Sequence, residues 1–365
     1  MIAQRLVRTI TEKKGVPTFI VVMVCLAYVA IALFHNQGDP LSFVIYDGHY
    51  SYQIALSLTE AVGLDIDRSQ LTYTYQDERP SAYRYQRILY PLVSWSLALG
   101  SPHRVLWTLI LVNVIFIGIG TWLTECILTE LNTGHWYALV YGLYSGQLVA
   151  LRSDMNEPLA QALIQFAVWS WVKKRHRWVV LGLAMALFAK ETAVLFLGAF
   201  ILSGILQRNW RESLGFGAAL IPYSLFQFTL RYLLGESGLL SGQPFILTPF
   251  GGWLQSAQIH FGAFLLISLI IVPMSIIPTV FGIVLSANRL WQRVYHPFVL
   301  GLLLNSVFIL FLPHLTFRES SAMARVTQGL MVSMLLFGAL IKSRRVLNYT
   351  QLWLFSSVIV VNGIT

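Results

Sequence analysis

Long apolar runs recur along the whole chain and are separated by polar connections. The first run, Val16 to Phe34, contains no charged residue and has no small-residue cleavage site behind it, so it predicts a retained membrane span rather than a signal peptide. A helix needs about 20 apolar residues to cross a hydrocarbon core about 30 Å thick. The pattern predicts about eleven spans, at Val16–Phe34, 105–123, 135–151, 159–172, 178–189, 192–206, 212–230, 262–285, 297–312, 326–341 and 350–364.

The composition agrees with this pattern. Of 365 residues, 56% are hydrophobic and only 11% are charged, against about a quarter charged in soluble domains. This excludes a soluble globule, and the recurrence of the runs excludes a soluble domain on a single anchor. We therefore expect an all-α polytopic membrane protein.

The formal charge of +9 would suggest nucleic acid as a partner if the basic residues were clustered on a soluble surface. Alternate threading of the spans, with the N-terminus cytoplasmic, puts 15 of the 25 basic and 4 of the 16 acidic residues inside. The inside then carries +11 and the outside −2, as the positive-inside rule requires. The sequence thus predicts no nucleic-acid partner and a multi-pass protein, with a bacterial inner (plasma) membrane favoured by its short tails.

A connection of about seventy residues, 35–104, departs from the pattern of short connections and is predicted to lie outside. Tyr50, Ile54, Leu58 and Ala61 fall at helical spacing, which predicts an amphipathic surface helix over 48–61. Three units follow from these patterns: a cytoplasmic segment and first span over 1–34, an outer loop subdomain with interfacial helices over 35–104, and a multi-span domain over 105–365.

Two further features of this connection carry predictions. Leu71–Tyr75 and Tyr83–Gln86 alternate tyrosine with polar residues, which favours a small hairpin. The run Ile88–Gly100 is too short to span and predicts an interfacial or re-entrant segment.

A second departure is the apolar run 178–206, which Lys190 and Glu191 interrupt. Basic clusters, which mark the cytoplasmic side, flank both ends of the run. The chain must therefore cross toward the outer side and come back, and it turns at Lys190 and Glu191. Each arm holds about 12 to 15 residues, or ~18–22 Å of helix, which is short of the core thickness. Short arms are tolerated where a turn lines a wet cavity, and we therefore predict a polar cavity open to the outer side.

Ionisable side chains at membrane depth are costly and are candidates for function. Carboxylates suit a general base or a metal, and Arg and Lys suit phosphate. Together they favour group transfer from a phosphorylated lipid, with a divalent cation left open as cofactor. The candidate residues are Asp47, His49, Arg84, Arg87, Asp154, Glu157, Lys190, Glu191, Arg318 and Arg325.

Several of the candidates also have a structural alternative. Asp47 precedes the surface helix and suits an N-terminal cap, and Asp154 and Glu157 flank a helix start at Pro158. Lys190 and Glu191 could pair with each other and close the turn.

The stretch Phe317–Arg325 is predicted to be helical, and its spacing of seven places Arg318 and Arg325 on one face. Both could instead be charges at the rim of the protein. Tyr73, Tyr75, Tyr83 and Tyr85 could stack on sugar, although anchoring at the membrane interface is the default for tyrosine.

Two strings carry a resemblance to a known family. Ile45-Tyr46-Asp47-Gly48-His49-Tyr50-Ser51-Tyr52-Gln53-Ile54-Ala55 is similar to the first-loop signature of GT-C membrane glycosyltransferases, notably the branch of PIG-V type mannosyltransferases. Arg87-Ile88-Leu89-Tyr90-Pro91-Leu92 resembles the aromatic-Pro-Leu segment that follows in that branch. The two strings cover about a tenth of the chain.

The resemblance implies a GT-C-like bundle of helices with a large first outer loop and a polyprenyl-phosphate sugar as donor. It implies that Asp47 stands at the position of the catalytic first-loop aspartate, and that a sugar, lipid or protein accepts the hexose. Gly48 departs from the paired acidic residues that many GT-C enzymes show there.

Two other functions stay open on the sequence. A lipid or sugar transporter would also place polar residues among many spans, although these groups gather on one side of the membrane. A GT-C-like protein without catalysis, acting as a subunit of a larger membrane complex, is compatible with a lone Asp47.

Overall fold

The structure is a computed structural model that describes residues 14–63, 81–239 and 241–357. Within these ranges the chain forms helices and turns and no strand, which confirms the all-α prediction. The α-helices are α1 (Val16–His35), α2 (Gly48–Ala61), α3 (Ala82–Tyr85), α4 (Leu89–Leu97), α5 (Pro102–Glu130), α6 (Ala138–Gly142), α7 (Ser145–Arg152), α8 (Glu157–Val172), α9 (His176–Ala189), α10 (Val194–Leu206), α11 (Trp210–Gly217), α12 (Leu220–Leu234), α13 (Gly251–Ile259), α14 (Phe261–Ile271), α15 (Ile277–Trp291), α16 (Pro297–Leu310), α17 (His314–Phe317), α18 (Ser320–Leu340) and α19 (Arg344–Thr350).

Five helical segments of the described chain are long and apolar enough to cross a membrane. They are Val16–His35, Pro102–Glu130, Trp210–Leu234, Phe261–Trp291 and Ser320–Leu340. Three shorter apolar helices accompany them, at His176–Ala189, Glu191–Leu206 and Pro297–Leu310. This is the architecture of an all-α, multi-pass membrane protein.

Several of the predicted apolar runs are not single helices. The run 135–151 is divided into a 3₁₀ turn, α6 and α7, because the backbone is extended at Tyr144. The last run begins as α19 and a 3₁₀ helix that reaches Ser357, and residues 358–364 lie outside the described chain. Helix α14 continues into α15 through a π-helical segment, Val272–Ile276, which contains Pro273.

The bundle is organised around α5, which packs against α1 and α8. Helix α8 pairs with α9, while α16 contacts α10, α15 and α18. Small residues allow the closest approaches: a Cβ at Gly142 would lie 2.6 Å from the Val21 side chain. In a bilayer, such close packing supplies the association that the hydrophobic effect supplies in water.

The N-terminus of α1 is capped by a side chain of another helix. The Glu125 carboxylate of α5 accepts hydrogen bonds from the backbone N–H groups of Gly15 and Thr18, each at 2.7 Å, and from the Thr18 hydroxyl. Helix α1 has no side-chain cap of its own. Glu125 therefore satisfies backbone donors that the first turn of a helix leaves without partners.

The helix predicted over 48–61 in the first long connection is confirmed at the predicted bounds, as α2. Its buried face is broader than predicted and shifted: Ile54 is buried as predicted, Gly48, Tyr52, Ala55 and Thr59 are buried as well, and Ala61 is exposed. The reason is close packing of α2 on α4 and α5. The Thr59 hydroxyl donates to the Gly100 carbonyl at 3.1 Å and accepts from the Trp95 indole at 3.0 Å.

The predicted hairpin is wrong in its second arm. Residues 83–85 belong to a single helical turn, α3, whose Tyr83 and Arg84 side chains contact the site described below. The first arm, Leu71–Tyr75, lies outside the described residues. Helix α4 has 9 residues, or about 13 Å of helix, so it does not span a bilayer on its own, as predicted for 88–100.

Replacing Glu125 tests the cap on α1. We expect Glu125→Ala to destabilise the protein by about 2 kcal/mol, because it leaves partly buried donors without an acceptor, and to lower the melting temperature in detergent. The control is Glu130→Ala on the same helix, since Glu130 is 39% exposed and its ion-pair partner among the described residues is Lys173; that change should lower the melting temperature much less. Equal melting temperatures for the two variants would contradict the capping role.

Candidate functional site

Seven charged side chains from separate segments form one connected ion network. They come from the start of α2, from α3 and the turn after it, from the start of α8, from the turn after α9, and from α18. All seven are candidates from the sequence: Asp47, Arg84, Arg87, Glu157, Lys190, Glu191 and Arg325. The network contains four cations and three carboxylates, so it carries one positive charge in excess.

Glu157 is the buried centre of the network. Its side chain has 0% exposure, and its Oε1 accepts from Lys190 Nζ and from Arg325 Nε, both at 2.6 Å. A carboxylate removed from water is stable only when it is paired and hydrogen-bonded. Glu157 therefore joins α8, the turn after α9, and α18.

Asp47 is the accessible carboxylate, with 31% of its side chain exposed. Its Oδ1 lies 2.8 Å from Arg84 Nη1, and its Oδ2 lies 3.2 Å from Arg325 Nη2 and 3.8 Å from Arg87 Nη1. Burial acts to raise the pKa of Asp47, but the positive charges of the three arginines prevail and hold it well below its usual range. Asp47 is therefore ionised at neutral pH.

The capping alternative for Asp47 is wrong. The residue occupies the N-cap position of α2, but its side chain makes no capping hydrogen bond. Its oxygens are directed to the guanidinium groups instead, where both partners of each contact are charged. Asn156 likewise precedes α8 without capping it, and its amide donates to the Ala189 carbonyl.

The alternative of a pair between Lys190 and Glu191 is also wrong. Lys190 reaches Glu157, whereas Glu191 accepts two bonds from Arg87, Nε to Oε2 at 2.8 Å and Nη2 to Oε1 at 2.5 Å. Arg87 Nη2 also donates to the Tyr83 hydroxyl at 2.5 Å. The two adjacent residues diverge because Lys190 is in an extended conformation between α9 and the next helical turn.

A small cavity lies beside Asp47. It has a volume of about 20 Å³ and is lined by Asp47, Tyr50, Ser51, Ile54, Arg84, Arg87, Met155 and Asn156. This is room for about one water molecule. A larger ligand therefore requires side chains such as Arg84 to move. Among the described residues, Arg84 is held by the ion pair with Asp47 and by the rings of Tyr50 and Tyr83.

Gly48 allows α2 to approach the turn between α7 and α8. A Cβ at position 48 would lie 2.0 Å from the Ser153 carbonyl oxygen. The backbone is left-handed at Tyr46 (φ 50°) and at Asp154 (φ 46°), on the two sides of this contact. Left-handed conformations at residues other than glycine store strain and cluster at functional sites. A second acidic side chain cannot follow Asp47 in this structure.

Three predicted site residues are not in the network. His49 packs its ring 3.7 Å from the Tyr50 ring, and its Nδ1 contacts the Tyr46 carbonyl. Asp154 is fully buried, burial raises its pKa well above the usual range, and neither of its oxygens has a hydrogen-bond partner in the described chain. Arg318 is exposed and forms no ion pair with any described residue.

The prediction of one helix over Phe317–Arg325 is wrong. Helix α17 ends at Phe317 and α18 begins at Ser320, with Glu319 extended between them (φ −125°, ψ 127°). The spacing of seven therefore does not put Arg318 and Arg325 on one face. For Arg318 the rim alternative holds, and for Arg325 it is wrong because Arg325 binds the buried Glu157.

One segment near the site was not predicted. The connection between α12 and α13 covers α3: a Cβ at Gly238 would lie 2.8 Å from the Ala82 carbonyl oxygen. From α12, the Tyr223 hydroxyl and the Gln227 amide donate to Gln86 Oε1 at 3.0 and 3.1 Å. The sequence signal that could have drawn attention to this connection is its length, which is second only to that of the connection 35–104.

The described residues do not fit a divalent cation. No group of three His, Cys, Asp or Glu side chains within residues 14–63, 81–239 and 241–357 could hold a metal ion. The carboxylates of the network face guanidinium or ammonium groups, which compete with a metal for the same oxygens. The site therefore supplies cations from its own side chains.

A scan against protein-family models and a search of curated proteins both find no match to this sequence.

The chemistry of the site follows from its geometry. An accessible carboxylate beside three guanidinium groups can accept a proton while the cations bind an anion such as phosphate. Tyr50 and Tyr83 stack on Arg84 with ring centroids 4.4 and 5.1 Å from the guanidinium carbon.

A double-mutant cycle tests the buried centre. Lys190→Met should destabilise the protein by about 3 kcal/mol, because Glu157 loses one of two partners at 0% exposure. Adding Glu157→Gln should restore part of that loss, since no uncompensated carboxylate is then buried. The matched control is Lys173→Met, which breaks the surface pair with Glu130 and should lower the melting temperature much less. Additive effects of the first two changes, measured by thermal unfolding, would argue against coupling.

Proposed function

We propose that this protein is a membrane glycosyltransferase that transfers a mannose-like hexose from a polyprenyl-phosphate-linked donor to an acceptor hydroxyl. The observation that carries the proposal is the position of Asp47, an ionised and partly exposed carboxylate within 4 Å of three guanidinium groups. The same aspartate stands in the string that resembles the first-loop signature of GT-C enzymes. The proposal includes the predicted GT-C-like bundle of about eleven spans.

In the proposed reaction, Asp47 accepts the proton of the acceptor hydroxyl as its oxygen attacks the anomeric carbon of the sugar. The new bond joins the acceptor oxygen to that carbon. The bond between the carbon and the phosphate oxygen breaks, and its electron pair leaves with polyprenyl phosphate. No redox step and no metal is needed.

Arg84, Arg87 and Arg325 are the groups that would meet the charge on the leaving phosphate. A phosphate that binds there shares the guanidinium groups with Asp47. Because those cations hold the pKa of Asp47 down, sharing them makes the carboxylate a stronger base when the donor is bound. The excess of one positive charge in the network favours an anionic ligand.

The distribution of charge supports an outward-facing site. The ion network lies at the first residues of α8 and in the first turns of α18, whereas the basic clusters Lys173–Arg175 and Lys342–Arg345 follow the opposite ends of these helices. Basic residues mark the cytoplasmic side. The network would then face the periplasm or a lumen, where the hexose is transferred.

An apolar groove supports a lipid-linked donor. The groove has a volume of about 640 Å³ and is lined by α14, the π-helical segment, α15, α18, α19 and the end of the described chain, with Met274, Met334 and Trp353 among its residues. Helix α18 joins the groove to the network, because Met334 follows Arg325 by nine residues, or about 14 Å of helix. A polyprenyl chain that lies in the groove and extends along α18 would bring its phosphate to Arg325.

A second candidate function is that of a subunit without catalysis in a larger membrane complex. Two observations favour it: each oxygen of Asp47 contacts a guanidinium group, and the cavity beside it has a volume of only about 20 Å³. Stable co-purification with partner subunits and no transfer by the complete complex would support this function.

The replacement Asp47→Asn tests the proposed base. Transfer of radiolabelled hexose from a polyprenyl-phosphate donor should fall by about 10² to 10⁴-fold, the range that general-base catalysis supplies. Asp39→Asn is the matched control, because Asp39 is exposed and caps only the turn at Leu41; it should leave transfer unchanged. Equal product from Asp47→Asn and wild type would exclude Asp47 as the base.

The pH dependence provides a further test. Because the pKa of Asp47 lies well below its usual range, the carboxylate stays ionised as the pH falls, and the base is lost only in strong acid. We expect kcat/KM, which reports the free enzyme, to be flat between about pH 5 and pH 8. A decline of kcat/KM with an apparent pKa near 6 would point to a different base, such as a histidine.

A further inference from the structure

Three buried glutamines lie beneath the ion network without being part of it. Gln165 and Gln328 have 0% exposure and Gln161 has 5%. Both amide atoms of Gln165 and of Gln328, and Oε1 of Gln161, have no hydrogen-bond partner in the part of the chain that the structure describes. We call Gln161, Gln165 and Gln328 the amide cluster.

Helix geometry places the three amides on one side of the ion network. Gln161 and Gln165 follow Glu157 by four and eight residues on α8, which is about 6 and 12 Å along the axis. Gln328 follows Arg325 by three residues on α18, or about 4.5 Å. Glu157 and Arg325 bond each other at 2.6 Å. Glu157 begins α8 and Arg325 lies in the second turn of α18, so the residues that follow each of them lead away from this bond. The amides therefore lie roughly 5 to 12 Å below the network.

Packing alone does not account for these amides. A buried amide that lacks hydrogen bonds costs free energy, and lipid offers none. Polar side chains that hold membrane helices together do so by bonding across the interface, as Asn305 does with the Ser333 hydroxyl at 3.1 Å. The five amide atoms make no such bond. They are suited to a bound group that both donates and accepts hydrogen bonds.

We infer that the amide cluster binds the neutral, hydroxyl-rich head group of the substrate, a sugar, directly below the phosphate site. The inference rests on the proposed function and extends it. A primary amide donates and accepts, as a sugar hydroxyl does, and it carries no charge that would attract the phosphate. In a phosphate-linked sugar the two groups are bonded to each other, so their sites must adjoin, as the cluster and the network do.

Binding of two lipids to the full-length protein in nanodiscs separates the two sites. The probes are two radiolabelled phosphodiesters of the same chain length, polyprenyl-phosphate hexose and the methyl ester of polyprenyl phosphate (called polyprenyl phosphate below), so both lipids carry one negative charge. Wild type should bind the sugar-bearing lipid more tightly. The variant Q161L/Q165L should bind the sugar-bearing lipid about 10-fold more weakly, the factor that one or two neutral hydrogen bonds supply, and polyprenyl phosphate unchanged. Arg84→Gln should weaken binding of both lipids.

The control for the glutamine variant is Gln255→Leu, an exposed glutamine on α13 that should change neither affinity. The melting temperature is the second readout. Replacing amides that lack partners with leucine removes an unfavourable burial, so the melting temperature should stay equal or rise. A lower melting temperature with unchanged lipid preference would show a structural role and overturn the inference. Gln328→Leu repeats the test from α18.

The remaining outcomes are distinct. If wild type binds both lipids equally, the sugar is not recognised and the inference fails, while the proposed phosphate site stands. If wild type binds neither lipid, the proposed function itself fails. If wild type prefers the sugar-bearing lipid and Q161L/Q165L keeps that preference, another set of residues recognises the sugar.

Discussion

The buried carboxylate of Glu157 is the constraint on which the rest of this site depends. At 0% exposure it must keep both Lys190 and Arg325 within hydrogen-bond distance, because an unpaired charge in such a place costs several kcal/mol. Lys190 then fixes the break between two short apolar helices, and Arg325 fixes the first turns of α18. Arg325 Nη2 also lies 3.2 Å from Asp47 Oδ2. Through Arg325, the buried carboxylate of Glu157 therefore positions the accessible carboxylate of Asp47.

Much of the fold could be predicted because membrane helices follow from apolarity alone. The sequence located α1, α2, α8, α9 and α10 to within a few residues. The sequence did not predict breaks between helices that depend on contacts with other segments. The extended backbone at Tyr144 divides one predicted span, and the extended Glu319 separates α17 from α18. Neither residue is a proline or glycine, so no local signal marked either break.

The sequence predicted which residues belong to the site, but it did not predict which of them form ion pairs with each other. Charges in an apolar chain are few, and seven of the ten candidates meet in one network because each would be unstable alone. Which charge meets which is decided by tertiary geometry, so adjacent residues such as Lys190 and Glu191 bind different partners. Arg318 was misplaced because sequence spacing assumed one continuous helix. The glutamines were passed over because neutral amides carry no charge to mark them.

The contact at Gly48 bears on how relatives of this chain can be recognised. With the Ser153 carbonyl 2.0 Å from where a Cβ would stand, no side chain can follow Asp47 unless the turn between α7 and α8 also moves. The glycine and that turn must therefore change together over evolutionary time. A distant relative with a second acid after its aspartate should have a longer or differently shaped turn about a hundred residues later. One that keeps the glycine should keep a residue tolerant of left-handed backbone at the position of Asp154.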